Sequence, residues 1–111
     1  MHTNEDKLKR EIVEVLKTVY DPEIPVDIYE LGLIYDIDID KNNKVEIIMT
    51  LTSPGCPVAG SMPIEIQNKI YSVPGVNLVE VKVVWDPPWS HDMMSEAAKL
   101  ELGFFRFSIP G

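Results

Sequence analysis

The sequence is poor in the residues that build most metal and catalytic centres. Cysteine occurs once, at Cys56, and histidine twice, at His2 and His91. One cysteine excludes an intrachain disulfide, and the Cys/His spacing of a structural zinc site is absent. Iron–sulfur clusters are usually held by four cysteines, which one chain of this kind cannot supply. Long apolar runs are missing too. Nothing approaches the roughly 20 residues of a membrane-spanning helix, and Met1–Lys7 lacks the apolar core of a signal peptide. Basic residues are scarce, 10 against 18 acidic, for a net charge of −8. That balance argues against a nucleic-acid backbone or an anionic membrane as the main partner. The expectation is a soluble, cytoplasmic protein.

What is present is enough for one globular domain. The 111 residues are 45% hydrophobic and 25% charged, and a chain of this length buries a core without staples. No internal repeat, low-complexity stretch or linker divides it. Residues 4–19 carry Leu8, Ile12, Val15, Leu16 and Val19 at helical spacing. The Asp21-Pro-Glu-Ile-Pro25 segment then stops the helix and fixes a stiff loop. Leu33, Tyr35, Ile37 and Ile39 alternate with aspartates, Lys41–Lys44 is turn chemistry, and Val45, Ile47, Met49 and Leu51 alternate again: a β-hairpin with one buried face. A second helix is predicted from Val58 or Ala59 to Tyr71, with Pro63 early in it. A third strand covers Asn77–Trp85, and a short helix runs from Asp92 or Met93 to Leu102 with Met94, Ala97, Ala98 and Leu102 near one face. The order αββαβα implies an α+β domain of two layers, a three-stranded mixed sheet with helices on one face. The domain spans 1–111, with its core at about 5–103 and an apolar tail at 104–111.

Cys56 lies in Thr50-Leu-Thr-Ser-Pro-Gly-Cys-Pro-Val58, a proline-flanked turn between a strand and a helix. There the positive end of the helix dipole favours thiolate. The plain alternative is a buried thiol acting as a small apolar filler. A thiol hydrolase would need a base, and His91 is the candidate; the plain alternative for His91 is a surface residue at a helix start. Asp21, Glu23 and Asp27 form a carboxylate group held by two prolines, either a turn device or a wall of oxygen ligands near Cys56. The Asp36, Asp38 and Asp40 row is a solvated strand face. Trp85, Pro87, Pro88 and Trp89 make a stiff apolar loop, either core packing or a binding ridge.

Four segments taken together resemble the SufT/PaaD-like family of metal–sulfur cluster assembly proteins. They are Asp21–Ile34 (DPEIPVDIYELGLI), Thr50–Pro57 (TLTSPGCP), Val84–Trp89 (VWDPPW) and Met93–Gly103 (MMSEAAKLELG). The resemblance covers residues 5–103 in order and implies a fold similar to the scaffold domain of NifU-type proteins. It implies an accessory role in maturing iron–sulfur proteins rather than an enzyme. Cys56 takes the family's cysteine position and Thr52 its threonine, while Asp21, Pro22 and Glu23 match the Asp-Pro-Glu motif. The extra C-terminal cysteines of PaaD-like members are missing, which points to the standalone SufT-like branch. On this reading Cys56 contacts iron or a transient iron–sulfur cluster, and no cluster is held permanently. Thr52 and Ser53 hydrogen-bond the sulfur or shape the turn. Asp21 and Glu23 supply oxygen ligands or orient the site. Trp85, Pro87 and Trp89 meet a scaffold, a client or a second copy in a homodimer. The alternatives are a small thiol enzyme with Cys56 as nucleophile and His91 as base, and a pure interaction module.

Overall fold

The computed structural model describes residues 4–21, 24–52 and 61–103. Three helices and three strands follow in the expected order: α1 (Asn4–Leu16), β1 (Ile34–Ile39), β2 (Lys44–Met49), α2 (Met62–Tyr71), β3 (Leu78–Val83) and α3 (Glu96–Glu101). β2 is central, antiparallel to β1 and parallel to β3. Alternation puts Ile37, Ile39, Val45, Ile47, Met49, Val79, Val81 and Val83 on one face of the sheet. α1 and α2 cover that face through Leu8, Ile12, Leu16, Met62, Ile66 and Ile70, all buried. The opposite face carries Asp36, Asp38, Glu46, Glu80 and Lys82 and stays solvated, as the alternation predicts.

The element ends differ from the sequence expectation in instructive ways. α1 stops at Leu16, not Val19, because residues 17–19 tighten into a turn: Thr18 N–H donates to Val15 O at 2.9 Å and Val19 N–H to Leu16 O at 3.3 Å. That turn swings Val19 inward, where it is 1% exposed. α2 begins at Met62 with Pro63 in its first turn; residues 53–60, Ala59 among them, lie outside the described residues. The last helix is broken. His91–Met93 form a single 3-10 turn, Met94 is extended at φ −66° and ψ 149°, and α3 restarts with the Ser95 hydroxyl accepting from Ala98 N–H at 3.1 Å. Ala97, expected on the apolar face, is exposed; Met94 and Ala98 carry the packing. The Phe104–Phe107 tail lies outside the described residues.

β1 contains an irregularity that strict alternation missed. Ile34 pairs with Met49 but Asp36 pairs with Ile48, so Tyr35 is the extra residue of a β-bulge. A bulge re-aims its side chain. Tyr35 Oη donates to Pro87 O at 2.6 Å and lies 3.5 Å from Met93 Sδ, both more than fifty residues away in sequence. This contact belongs to a strap, residues 84–98, that crosses the turn at residues 27–33. Trp89 Nε1–H donates to Leu31 O at 2.7 Å. Ser95 N–H donates to Glu30 O at 2.8 Å. Gly32, at φ +81°, faces the Met93 carbonyl so closely that no side chain fits.

Trp89→Phe removes the indole donor and part of the packed ring. A loss of about 2 kcal/mol is expected, read as a lower urea midpoint at unchanged m-value.

Candidate functional site

The carboxyl ends of the two parallel strands define one edge of the sheet. Chain leaving β2 at Met49 becomes the Thr50–Val58 segment; chain leaving β3 at Val83 becomes the Trp85–Trp89 loop. Crevices outside the carboxyl ends of parallel strands are where open α/β sheets take ligands. β1 runs the other way, so its first residues, Ile34 and the bulged Tyr35, share this edge.

The Asp21 loop is tied to the same edge by successive backbone bonds. Asp21 N–H donates to Val26 O at 3.3 Å, Ile28 N–H to Val19 O at 2.8 Å, Leu33 N–H to Ile28 O at 3.2 Å, and Thr50 N–H to Leu33 O at 2.9 Å. Asp21 is 4% exposed, unusual for a carboxylate. Its Oδ1 accepts from Ile24 N–H at 3.0 Å, so the side chain builds its own turn. Asp27 does likewise: Oδ2 accepts from Tyr29 N–H at 3.1 Å and Glu30 N–H at 3.0 Å. The turn-forming reading of these two acids is therefore visible in the structure. Among the described residues no three His, Asp or Glu side chains gather as a metal site. Glu23, Ser53 and Cys56 lie outside the described residues.

Thr50 is fully buried, and Thr52 beyond it is half-buried. The Thr50 hydroxyl stands beside the Tyr35 phenol. Burial pushes the Tyr35 pKa above its usual value; Thr50 pulls it back in part, and the Asp86 carboxylate raises it further. A raised tyrosine pKa favours the fold fully below the unfolded value, about 10. That contribution is lost as pH climbs through the folded pKa. Tyr35 should thus ionise above the usual tyrosine value, seen as a late step at 295 nm in the parent minus Tyr35→Phe difference titration.

The tryptophan loop divides into two parts. Trp89 is half-buried, packs on the core and uses its N–H internally. Sequence reasoning left core packing or a binding ridge open for this loop; for Trp89 the polar atom is committed to Leu31. Trp85, predicted as the last residue of the third strand, lies beyond the strand end at Val83 and is 44% exposed. Pro87 is exposed, and its carbonyl accepts from Tyr35. His91 is exposed, with its ring tilted at 56° to that of Trp89 and centroids 5.1 Å apart. Tyr35, Thr50 and Gly32 were not singled out as site residues from sequence. The glycine in Glu-Leu-Gly-Leu was the one available signal, since a glycine inside such a run marks a turn or bulge position.

Comparison with known proteins places this geometry in context. A family model described as iron-sulfur cluster assembly protein matches residues 9–83. An Fe-S protein maturation auxiliary factor of Porphyromonas gingivalis is 49% identical over 86% of this chain and 91% of its own length. The Fe-S protein maturation auxiliary factor YitW of Bacillus subtilis is 46% identical over 89% of this chain and 97% of its own. The crystal structure of a domain of unknown function from Bacillus anthracis superposes with a TM-score of 0.82 at 45% identity, covering 88% of this chain and 93% of that one. The SufT-like resemblance of the four segments and the fold built on them thus rest on matches along most of the chain, and the chain belongs to the iron–sulfur cluster assembly protein family.

Proposed function

We propose that this protein is an accessory factor that carries an iron–sulfur cluster, or iron on its way to one, and helps insert it into client proteins. The family match over residues 9–83 carries this reading. The convergence of the β2 and β3 carboxyl ends supports the position of the site. Cys56 supplies the thiolate, the soft ligand that iron–sulfur chemistry requires. One thiolate leaves the cargo short of ligands, so the remaining positions belong to oxygen donors, a second chain or the client. Such under-coordination suits a carrier, because the client completes the set on transfer. Thr52 and Ser53, flanking the turn, hydrogen-bond the sulfur or hold the loop. The work is binding and hand-over in the cytoplasm, with no covalent catalysis, and the partners are scaffold and client proteins.

On this reading Asp21 and Glu23 of the Asp-Pro-Glu motif supply oxygen ligands or orient the site. Asp21→Asn keeps an acceptor for Ile24 N–H and removes the charge. It should fold as the parent and load iron severalfold less well, on the order of 10-fold for a neighbour of the metal. Asp21→Ala should lose stability as well, by about 1–2 kcal/mol. Equal loading by parent and Asp21→Asn confines Asp21 to turn formation.

The overall reading is tested by anaerobic transfer. An apo-client is mixed with a cluster donor, with and without this protein, and client activation is followed by visible absorption and activity. Faster activation is expected; an unchanged rate across donors and clients sinks the proposal.

A further inference from the structure

The sheet has two edges, and they are treated differently. On β1, Asp36 and Asp38 are exposed, and Asp6 and Lys9 of α1 line a groove with Ile37, Asp38 and Ile39. Charge of this kind blunts an edge against pairing. On β3 the outward backbone groups belong to Val79, Val81 and Val83. The parity is fixed at both ends of an unbroken register: Val84 N–H turns inward to Met49 O at 2.7 Å, and both backbone groups of Val79 turn outward. α2 caps Val79. Tyr71 Oη accepts from Val79 N–H at 3.1 Å, and Gln67 Nε2–H donates to Val79 O at 3.1 Å. Nothing among the described residues does the same for Val81 and Val83.

The open half of the edge has an apolar floor. Gln67, Tyr71 and Ile64 fall on one face of α2. Ile64 is a turn nearer the helix start, and because the crossover runs α2 opposite to β3 it falls toward the Val83 end of the edge; it is 57% exposed. On the solvent side Lys82, an edge-guarding residue type, is drawn back across the sheet. Its Nζ lies 3.0 Å from Glu46 Oε2 and 3.4 Å from Glu80 Oε1. The trio therefore carries a net negative charge.

We propose that the Val81–Val83 edge takes an extended segment of a client protein as a fourth strand. Its apolar residues cover Ile64, and its alternate residues are Lys or Arg facing Glu80. A strand is the ligand whose backbone matches alternating N–H and C=O groups. The negative trio selects basic side chains on its solvent face. A second copy of this chain fits less well. The self-pairing that uses every open group of Val81 and Val83 is centred on Lys82, and it sets the two Lys82 side chains opposite each other. The edge ends beside Trp85, where the chain also departs for Cys56, so a docked segment holds its protein at the proposed transfer site. This inference rests on the delivery role for its biological meaning, but the docking itself does not depend on iron.

The probe is a short acetylated peptide of alternating valine and lysine, titrated into the metal-free protein. Backbone amide shifts and hydrogen exchange are the readouts. Val81 and Val83 amides should exchange fast in the free protein and become protected on binding, with Val79 unchanged. The valine–glutamate counterpart should bind roughly tenfold more weakly. Ile64→Glu, at an exposed position, should fold normally and weaken valine–lysine binding by a similar factor. Protection of Val81 and Val83 before peptide is added would overturn the proposal, as would shifts confined to another face. So would protection that rises with protein concentration alone, which would name a second copy as the occupant. If the peptide binds as stated while the parent protein fails to accelerate client activation, the edge stands and the delivery reading falls.

Discussion

Cys56→Ser should slow cluster delivery to an apo-client by roughly two orders of magnitude while leaving the fold intact. Serine replaces sulfur with a smaller, harder atom that stays protonated at neutral pH. It keeps the shape of the Thr50–Pro57 segment but loses the affinity of a thiolate for iron. Changes to neighbours of a metal ligand commonly cost ~10–100-fold in affinity, and removing the sole thiolate should cost at least as much. Circular dichroism and the thermal midpoint should match the parent. Transfer at the parental rate by Cys56→Ser would remove the thiol from the mechanism. It would then favour an interaction module, whose contacts assist assembly without touching the cargo. His91→Ala separates the thiol-enzyme alternative: a thiol whose alkylation profile does not change in this variant has no imidazole base.

The largest structural effect is expected at Gly32. Its φ is +81°, and a Cβ built there lies 2.8 Å from the Met93 carbonyl carbon and closer still to the oxygen. The obstacle is backbone, held by Met93 N–H donating to Ser90 O at 3.0 Å and by Ser95 N–H on Glu30 O. It cannot swing aside as a side chain would. Gly32→Ala should therefore cost about 3 kcal/mol or more, the sum of left-handed strain and a displaced strap. Gly75 is the internal control. Its φ is +97°, yet a Cβ would meet only Leu8 Cδ1 at 4.0 Å. Gly75→Ala should show the backbone cost alone, about 1 kcal/mol. Urea unfolding of both variants measures the difference. Equal losses would mean that the strap does not bear on Gly32.

Which features could be read from the chain follows from how far each interaction reaches along it. The spacing of Leu8, Ile12 and Leu16 reports a helix because its burial repeats locally. Val45, Ile47 and Met49 report a central strand for the same reason. The bulge at Tyr35 was hidden because continued alternation, Leu33-Tyr35-Ile37, satisfies the local rule. What re-aims Tyr35 is a carbonyl 52 residues away. The broken last helix was hidden likewise: Met94 is extended so that Ser95 N–H can reach Glu30, a partner that local spacing does not reveal. Trp89 reads as surface or core with equal ease until Leu31 is placed beneath its indole. At the candidate site, the Asp-Pro-Glu and Thr50–Pro57 segments were legible as motifs, and most of both lies outside the described residues. The burial of Asp21, and the backbone bonds that carry its loop to Thr50, depend on packing.

The strap also has a consequence for synthesis. Among the described residues the last strand ends at Val83, and the family match ends there too. Leu31, Gly32 and Tyr35 must still wait for Pro87, Trp89, Met93 and Ser95. A nascent chain on the ribosome can therefore pair its three strands while the turn at residues 27–33 still lacks its strap, and Met94 and Ala98 complete the core afterwards. Contacts separated by 58 residues form late. On the delivery role proposed above, iron reaching such a chain early would meet a sheet without its clasp, and competence to carry it would arrive with the closing segment.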